Sequence, residues 1–241
     1  MRPANFDAEL ASRFAAVDVW AFDLDNTLYP HGSDLWPKID DRISLYLMAL
    51  TGLDGQSARA LQRYYYRKDG TTLRGLMDEA VATPESFLEF VHDIDRSSLS
   101  PNPALARQLA ALPGRKLIFT NGSRDHATKT AARLGIGGCF EDAFDIVAAD
   151  YRPKPAESAY DAFLGKYGVD PSRAAMFEDL AQNLVVPHRR GMATVLVEPK
   201  SGQADHRQAE DRARGDRAHV DFSTDDLAQF LATLNQALAA A

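Results

Sequence analysis

Residues 17–30 read VDVWAFDLDNTLYP. The first eight, Val17 to Leu24, are β-branched, aromatic and apolar, and they run directly into a polar loop, Asp25 to Gly32, that holds Asn, Thr, Pro and Gly. A short apolar run of this kind predicts a buried strand of a parallel sheet, followed by a loop. Asp23 and Asp25 alternate along the extended backbone, so their carboxylates point in different directions. In an open parallel sheet, ligands bind beyond the carboxyl ends of the strands. The two acids therefore stand where chemistry is expected.

The rest of the chain repeats the strand pattern. KLIFT (Lys116–Thr120), Asp145–Ala148, Ala174–Phe177 and Thr194–Val197 read as further short strands, with Asp221–Phe222 as an edge strand. Helical patterns lie between them at Ala104–Leu112, Asp125–Leu134, Ala156–Tyr167 and Ala181–Arg190, the last carrying Pro187, which should break or bend it. A final amphipathic helix, Asp225–Ala240, is expected to be capped near Ser223 or Thr224. Ser201–Arg217 is charged and poor in apolar residues, and reads as an exposed loop or weak helix. Between the first two strands, Leu35 to Asp95 offers helices only, one of them starting at Thr83-Pro84. The expected architecture is α/β: a doubly wound, Rossmann-like parallel sheet built from residues 1–30 and 104–241, with an all-helical insertion at 31–103.

The 241 residues suffice for such a two-part chain, and at 45% hydrophobic and 25% charged they match a globular protein able to bury a core without staples. A formal net charge of -7 argues against a broad basic face for a nucleic-acid polymer. Cys139 is the sole cysteine, which rules out an intramolecular disulfide, and its small neighbours Gly137 and Gly138 suggest a packed rather than reactive thiol. No apolar run approaches a signal sequence or the ~20 residues of a membrane span. A cytoplasmic protein without a membrane partner is expected, and nothing in the sequence speaks to its oligomeric state.

The predicted strand ends bring together a consistent set of groups. Asp23 and Asp25 follow the first strand, Thr120 and Asn121 the second, Lys154 the third region, and Glu178, Asp179 and Asn183 the fourth. Several carboxylates at one site repel unless a cation joins them, and hard oxygen ligands beside a phosphate suit magnesium (Mg2+). Thr120 and Lys154 supply a hydroxyl donor and a positive charge for phosphoryl oxygens. An aspartate can serve as a nucleophile through an aspartyl-phosphate.

In this order, DLDNT at 23–27, Thr120 in LIFTN, Lys154 in RPKP and the acid pair of MFEDLAQN resemble the four motifs of the haloacid dehalogenase superfamily over nearly the whole chain. The resemblance implies Asp23 as nucleophile and metal ligand, and Asp25 as general acid and base with its backbone carbonyl on the metal. It implies Thr120, with the Asn121 backbone N–H, on the phosphoryl oxygens and Lys154 on Asp23 and the phosphoryl group. It implies Asp179 as a direct metal ligand and Glu178 as acting through a water, with the choice of inner-shell acid not settled by the sequence. The insertion stands where this superfamily carries a helical cap that selects substrate. Within the superfamily, FDLDNTLYP (22–30), YYYRKDGTTLRGLM (64–77, inside the insertion) and FTNGSRDHATKTAARLGI (119–136) are most similar to pyrimidine 5'-nucleotidases, which implies a nucleoside monophosphate such as UMP or CMP as substrate. Arg74 and Tyr29 are candidate substrate contacts: Arg74, like Lys68, either binds the nucleotide or fixes the cap loop, and Tyr29 either packs beside the base entrance or shapes the loop. Of Tyr64, Tyr65 and Tyr66, at least two are expected in the packing of the insertion, although any could stack on a base. His126 opens a helix and has either a structural or a substrate-facing role, and His31 and His92 lack metal-ligand spacing. Asn183 either positions the fourth motif or caps a helix.

The same motifs bear on other functions. A dehalogenase needs neither a second acid nor magnesium, so Asp25 and the Glu178-Asp179 pair speak against it. A phosphosugar or phosphoglycolate phosphatase would keep every motif and differ in the insertion. A non-enzymatic binding module would be expected to have lost an acid or the lysine, and none is missing.

Overall fold

The computed structural model of the chain describes residues 6–203, 205, 207 and 217–241. Among the described residues, six parallel strands form one sheet: β1 (Val19–Phe22), β2 (Arg115–Phe119), β3 (Asp142–Phe144), β4 (Ala174–Glu178), β5 (Ala193–Val197) and β6 (Phe222–Thr224). Their order across the sheet is β3-β2-β1-β4-β5-β6, so the winding reverses between β1 and β4. A crevice at such a reversal is where open α/β sheets bind ligands.

Helices cover both faces, and the period of two along each strand decides which side chain goes where. Trp20, Phe22, Ile118, Ala175, Phe177 and Val195 point to one face, under α1 (Phe6–Phe14), α6 (Pro103–Ala111), α7 (Arg124–Arg133) and α10 (Leu227–Ala240). Val19, Ala21, Leu117, Phe119, Met176 and Leu196 point to the other, under α8 (Glu157–Tyr167) and α9 (Val185–Arg189). With both faces covered, the strands contain continuous apolar runs, as read in the sequence. Gly114, just before β2, has φ +76°, and a Cβ there would lie 2.1 Å from the Asp18 carbonyl oxygen, so only glycine fits that approach.

Between β1 and β2, α2 (Leu35–Thr51), α3 (Gly55–Asp69), α4 (Thr72–Asp78) and α5 (Pro84–His92) surround their own apolar cluster, with Leu47, Tyr65, Leu76 and Phe87 at its centre. Ile146 of the sheet layer joins the same cluster, so the helical group rests on the rim of the sheet.

Four sequence expectations shift. The third strand is Asp142–Phe144, not Asp145–Ala148: the Asp145 carboxylate accepts from the backbone N–H groups of Arg124 and Ala148 and turns the chain there instead. Ala181–Arg190 is two pieces, a 3-10 turn at Ala181–Leu184 and α9, because Pro187 is tolerated only in the first turn of a helix. The last helix is capped by Asp226, whose Oδ1 accepts from the Gln229 N–H at 3.0 Å, rather than by Ser223 or Thr224. Much of the stretch 201–217 lies outside the described residues, but Arg207 does not face solvent: it bonds the Asp179 carbonyl and lines the cavity described next. Among the described residues, no helix is long and apolar enough to cross a membrane.

Candidate active site

Register sets the site. Phe22 pairs with Phe177 and with Ile118, and the Asp23 N–H continues the ladder to the Phe177 carbonyl at 2.8 Å. Asp23 therefore leaves β1 beside Glu178, the last residue of β4, at the point where the winding reverses. Asn26, at φ 60°, turns the loop sharply away, a conformation asparagine tolerates better than most residues. Asp23, Glu178 and Asp179 offer ligand atoms within 4.8 Å of one another, and all three are buried.

Lys154 enters this cluster from the loop after β3. Its side chain is 1% exposed, and the ammonium donates to Asp23 Oδ1 at 2.8 Å, Glu178 Oε1 at 2.7 Å and the Phe119 carbonyl at 2.7 Å. Three donors thus meet three acceptors. Burial would pull the ammonium down, but the two carboxylates hold it above its ordinary value. The Asn121 side chain clamps the Lys154 backbone on both sides, accepting its N–H at 2.8 Å and donating to its carbonyl at 3.2 Å. Thr120 is buried, and its Oγ1 accepts from the Gly122 N–H, which leaves the hydroxyl proton to donate elsewhere. Asn183 holds Glu178 Oε1 at 2.7 Å, so it positions the acid pair and caps no helix.

Three carboxylates against one ammonium leave two negative charges in a buried space. Burial and the neighbouring acids push Asp179 well above the ordinary carboxylate range, and burial with Glu178 and Asp25 pushes Asp23 up despite Lys154. Asn26 Oδ1 is buried there without a hydrogen-bond partner. Excess negative charge, destabilised carboxylates and an orphaned hard oxygen fit a divalent cation. Glu178 is already bonded by Lys154, Asn183 and the Leu180 N–H, whereas the Asp179 carboxylate receives a long 3.4 Å contact from Asn26.

Asp25 turns the other way. Its Oδ1 accepts from the Tyr29 hydroxyl at 2.5 Å and meets His126 Nε2 at 2.8 Å. Burial alone would raise this carboxyl, but His126 and Tyr29 together hold it below its ordinary value. His92, from α5, stacks on His126, and burial with that neighbour pushes it down to about 3, so it stays neutral. Two acids two residues apart are thereby separated, one beside Lys154 among other carboxylates and one beside the Tyr29 and His126 donors.

A cavity of about 190 Å³ rises from these groups into the helical insertion. Trp36, Ile39, Leu73, Phe87 and Val91 give it apolar walls, and Gln62, Thr71 and Thr72 add polar points.

Two predicted substrate contacts move. Arg74 is not in the cavity wall; it pairs with Asp78 one helical turn away, as spacing of four residues favours. Tyr29 is buried beneath Asp25 and holds that acid rather than facing a ligand. Of the three tyrosines, only Tyr65 belongs to the packed cluster; Tyr66 lines the cavity and Tyr64 is 52% exposed. The site residues missing from the sequence reading are Arg96, which bonds His126, and the pairing role of His126 itself. The only signal available for the latter is position: Ser123 caps α7, and the first turn of that helix stands over the rim.

The haloacid dehalogenase-like hydrolase model matches residues 17–184, which include Asp23, Asp25, Thr120, Lys154, Glu178 and Asp179. Phosphate metabolism protein 8 of Saccharomyces cerevisiae is 27% identical over 157 residues, covering 60% of this chain and 47% of that protein, so the match spans about half the relative's length. Among solved structures, a 2-haloacid dehalogenase from Pseudomonas syringae pv. Tomato DC3000 superposes with a TM-score of 0.55 at 19% identity, over 91% of this chain and 99% of that one. The Bacillus subtilis HAD-hydrolase YfnB, a magnesium-bound structure, gives 0.55 at 12% identity over 91% and 99%. At these identities the structural likeness speaks for the fold alone. With a family model that spans β1 to β4 and all four motifs, the chain belongs to the haloacid dehalogenase-like hydrolases.

Proposed function

We propose that the protein is a magnesium-dependent phosphomonoester hydrolase acting through an aspartyl-phosphate on Asp23. The separation of the two acids carries this reading. Asp23 lies in the cation-seeking cluster, suited to attack a phosphorus whose charge is neutralised there. Asp25 lies apart, among donors, suited to move a proton. A halide leaving group needs no proton, so dehalogenation would leave Asp25 without a task.

Asp23 and Asp179, with the Asp25 backbone carbonyl, would hold magnesium, and Glu178 would support them. Bound there, the ion would neutralise the carboxylates and the phosphoryl oxygens. The chain does the rest. The Thr120 hydroxyl donates to the phosphoryl oxygens, Lys154 holds Asp23 in place and its charge offsets theirs, Asp23 attacks, and Asp25 protonates the leaving oxygen and then takes a proton from water. The helical insertion, residues 31–103, acts as a cap that keeps water from the cavity.

Within this class we favour a pyrimidine 5'-nucleotidase. The support is the cavity: aromatic and apolar walls suit a base, and Gln62, Thr71 and Thr72 offer the hydrogen bonds a base edge requires. A yeast relative named for phosphate metabolism agrees with the broader reading. Phosphate release from UMP, CMP, AMP, GMP, phosphoglycolate and phosphosugars with magnesium tests both levels. UMP and CMP should lead. If phosphoglycolate or a phosphosugar leads, the phosphatase stands and the nucleotidase falls. If no phosphoester is cleaved, both fall.

A further inference from the structure

Asp25 receives both of its side-chain hydrogen bonds on one oxygen. Tyr29 and His126 converge on Oδ1 at 2.5 and 2.8 Å. The other ring nitrogen of His126, Nδ1, lies 2.9 Å from the Arg96 guanidinium. A guanidinium has donors only and keeps its proton in proteins, so Nδ1 must accept. A ring whose Nδ1 accepts carries its proton on Nε2, aimed at Asp25. Nothing about this ring is loose: it is 0% exposed, and His92 stacks over it with centroids 4.5 Å apart and planes 9° from parallel. Arg96 is fixed in turn by the His92 and Ile94 carbonyls, each at 3.1 Å, and by Thr130 Oγ1 at 3.3 Å.

We propose that Arg96 and His126 are positioning residues for the proton-transfer steps: they fill Asp25 Oδ1 with donors, so that Oδ2 is the oxygen that carries the proton. The inference rests on the phosphatase reading above. In the first half-reaction an Asp23 oxygen bonds to phosphorus, the bond from phosphorus to the leaving oxygen breaks, and the proton on Asp25 Oδ2 passes to that oxygen. In the second, water oxygen bonds to phosphorus, the bond to Asp23 breaks, and a water proton returns to Oδ2. Oδ1 keeps the same two hydrogen bonds throughout; a proton on Oδ1 would set a third hydrogen against two already there. Arg96 lies on the segment that leads from α5 back to the sheet, so the aim of the acid is tied to the seating of the helical insertion.

Leaving-group dependence tests this without reference to titration. p-Nitrophenyl phosphate expels an oxygen that needs no proton, whereas benzyl phosphate, of similar shape, expels one that does. In the full chain with magnesium, Arg96→Met and His126→Leu should lower kcat/KM for benzyl phosphate about 100-fold and for p-nitrophenyl phosphate less than about fivefold. Arg96→Lys and His126→Gln keep an N–H donor and should recover most of the loss. Should His126→Leu fail to fold, the half-buried Arg96 pair carries the comparison. Equal losses on both substrates in folded variants, or no loss, would overturn the inference. Wild type active with Asp23→Asn inactive sustains the phosphatase reading in either case; wild type inactive on both esters overturns that reading and this one together.

Discussion

Lys154 concentrates the energetics of the site in one side chain. Its ammonium joins two buried carboxylates, and removing one partner of a buried ion pair leaves the other charge uncompensated. Lys154→Met is therefore expected to cost about 3–5 kcal/mol of stability without magnesium, read by denaturant unfolding. Away from the site, Asp142 offers a pH test. Burial raises its carboxyl, but Arg124, the Tyr167 hydroxyl and the Ala143 N–H outweigh that and hold it well below its ordinary range. A carboxyl depressed by folding contributes stability above its unfolded value, near 4, and loses it as pH falls through the folded one. Asp142→Asn should cost about 1 kcal/mol at neutral pH, and the gap to wild type should narrow progressively as pH falls below about 4. A gap unchanged on acidification would refute the assignment. At this scale the sequence reveals residue types and motif order, which is why Asp23, Thr120, Lys154 and the acid pair were legible. It does not reveal partners distant in the chain: His126 meets Asp25 across 101 positions, and Arg96 meets His126 across 30.

Elements follow local chemistry where that chemistry is uncontested. Apolar runs became strands, Gly168 in the left-handed conformation ended α8, and Asn102 capped α6 through its bond to the Leu105 N–H. Side-chain competition misled the reading elsewhere. Asp145 and Asp226 capture backbone N–H groups and so move an element boundary, and nothing in a hydrophobic pattern announces which of several polar residues will do so. The helical insertion has its own close approach: a Cβ on Gly75 would stand 2.1 Å from Tyr65 Cδ1, so α4 is pressed flat against the tyrosine ring. Gly75→Ala should force Tyr65 from its place in the cluster and destabilise the chain by about 1–3 kcal/mol, visible as a lower melting temperature. An unchanged melt would mean the two helices are free to separate.

For the molecule as a whole, the proposed cation would link fold and function. A ligand that binds only the folded state raises stability by about 2.7 kcal/mol at a hundred times its dissociation constant. Magnesium should accordingly raise the melting temperature, chelation should reverse the rise and stop turnover, and Asp179→Asn should abolish the shift. The overall order, a parallel sheet interrupted after its first strand by helices, was readable because each apolar run is separated by a helical pattern. The orientation of the insertion, which decides that Tyr66 and not Arg74 meets the cavity, depends on packing across distant elements.

The central claim is that phosphorus passes through Asp23. The most direct test is to quench the enzyme in acid during turnover of a radiolabelled phosphomonoester and map the label. The account predicts an acyl-phosphate on the peptide carrying Asp23 in wild type, and neither label nor turnover in Asp23→Asn. Turnover that survives Asp23→Asn, or label on another residue, would contradict it.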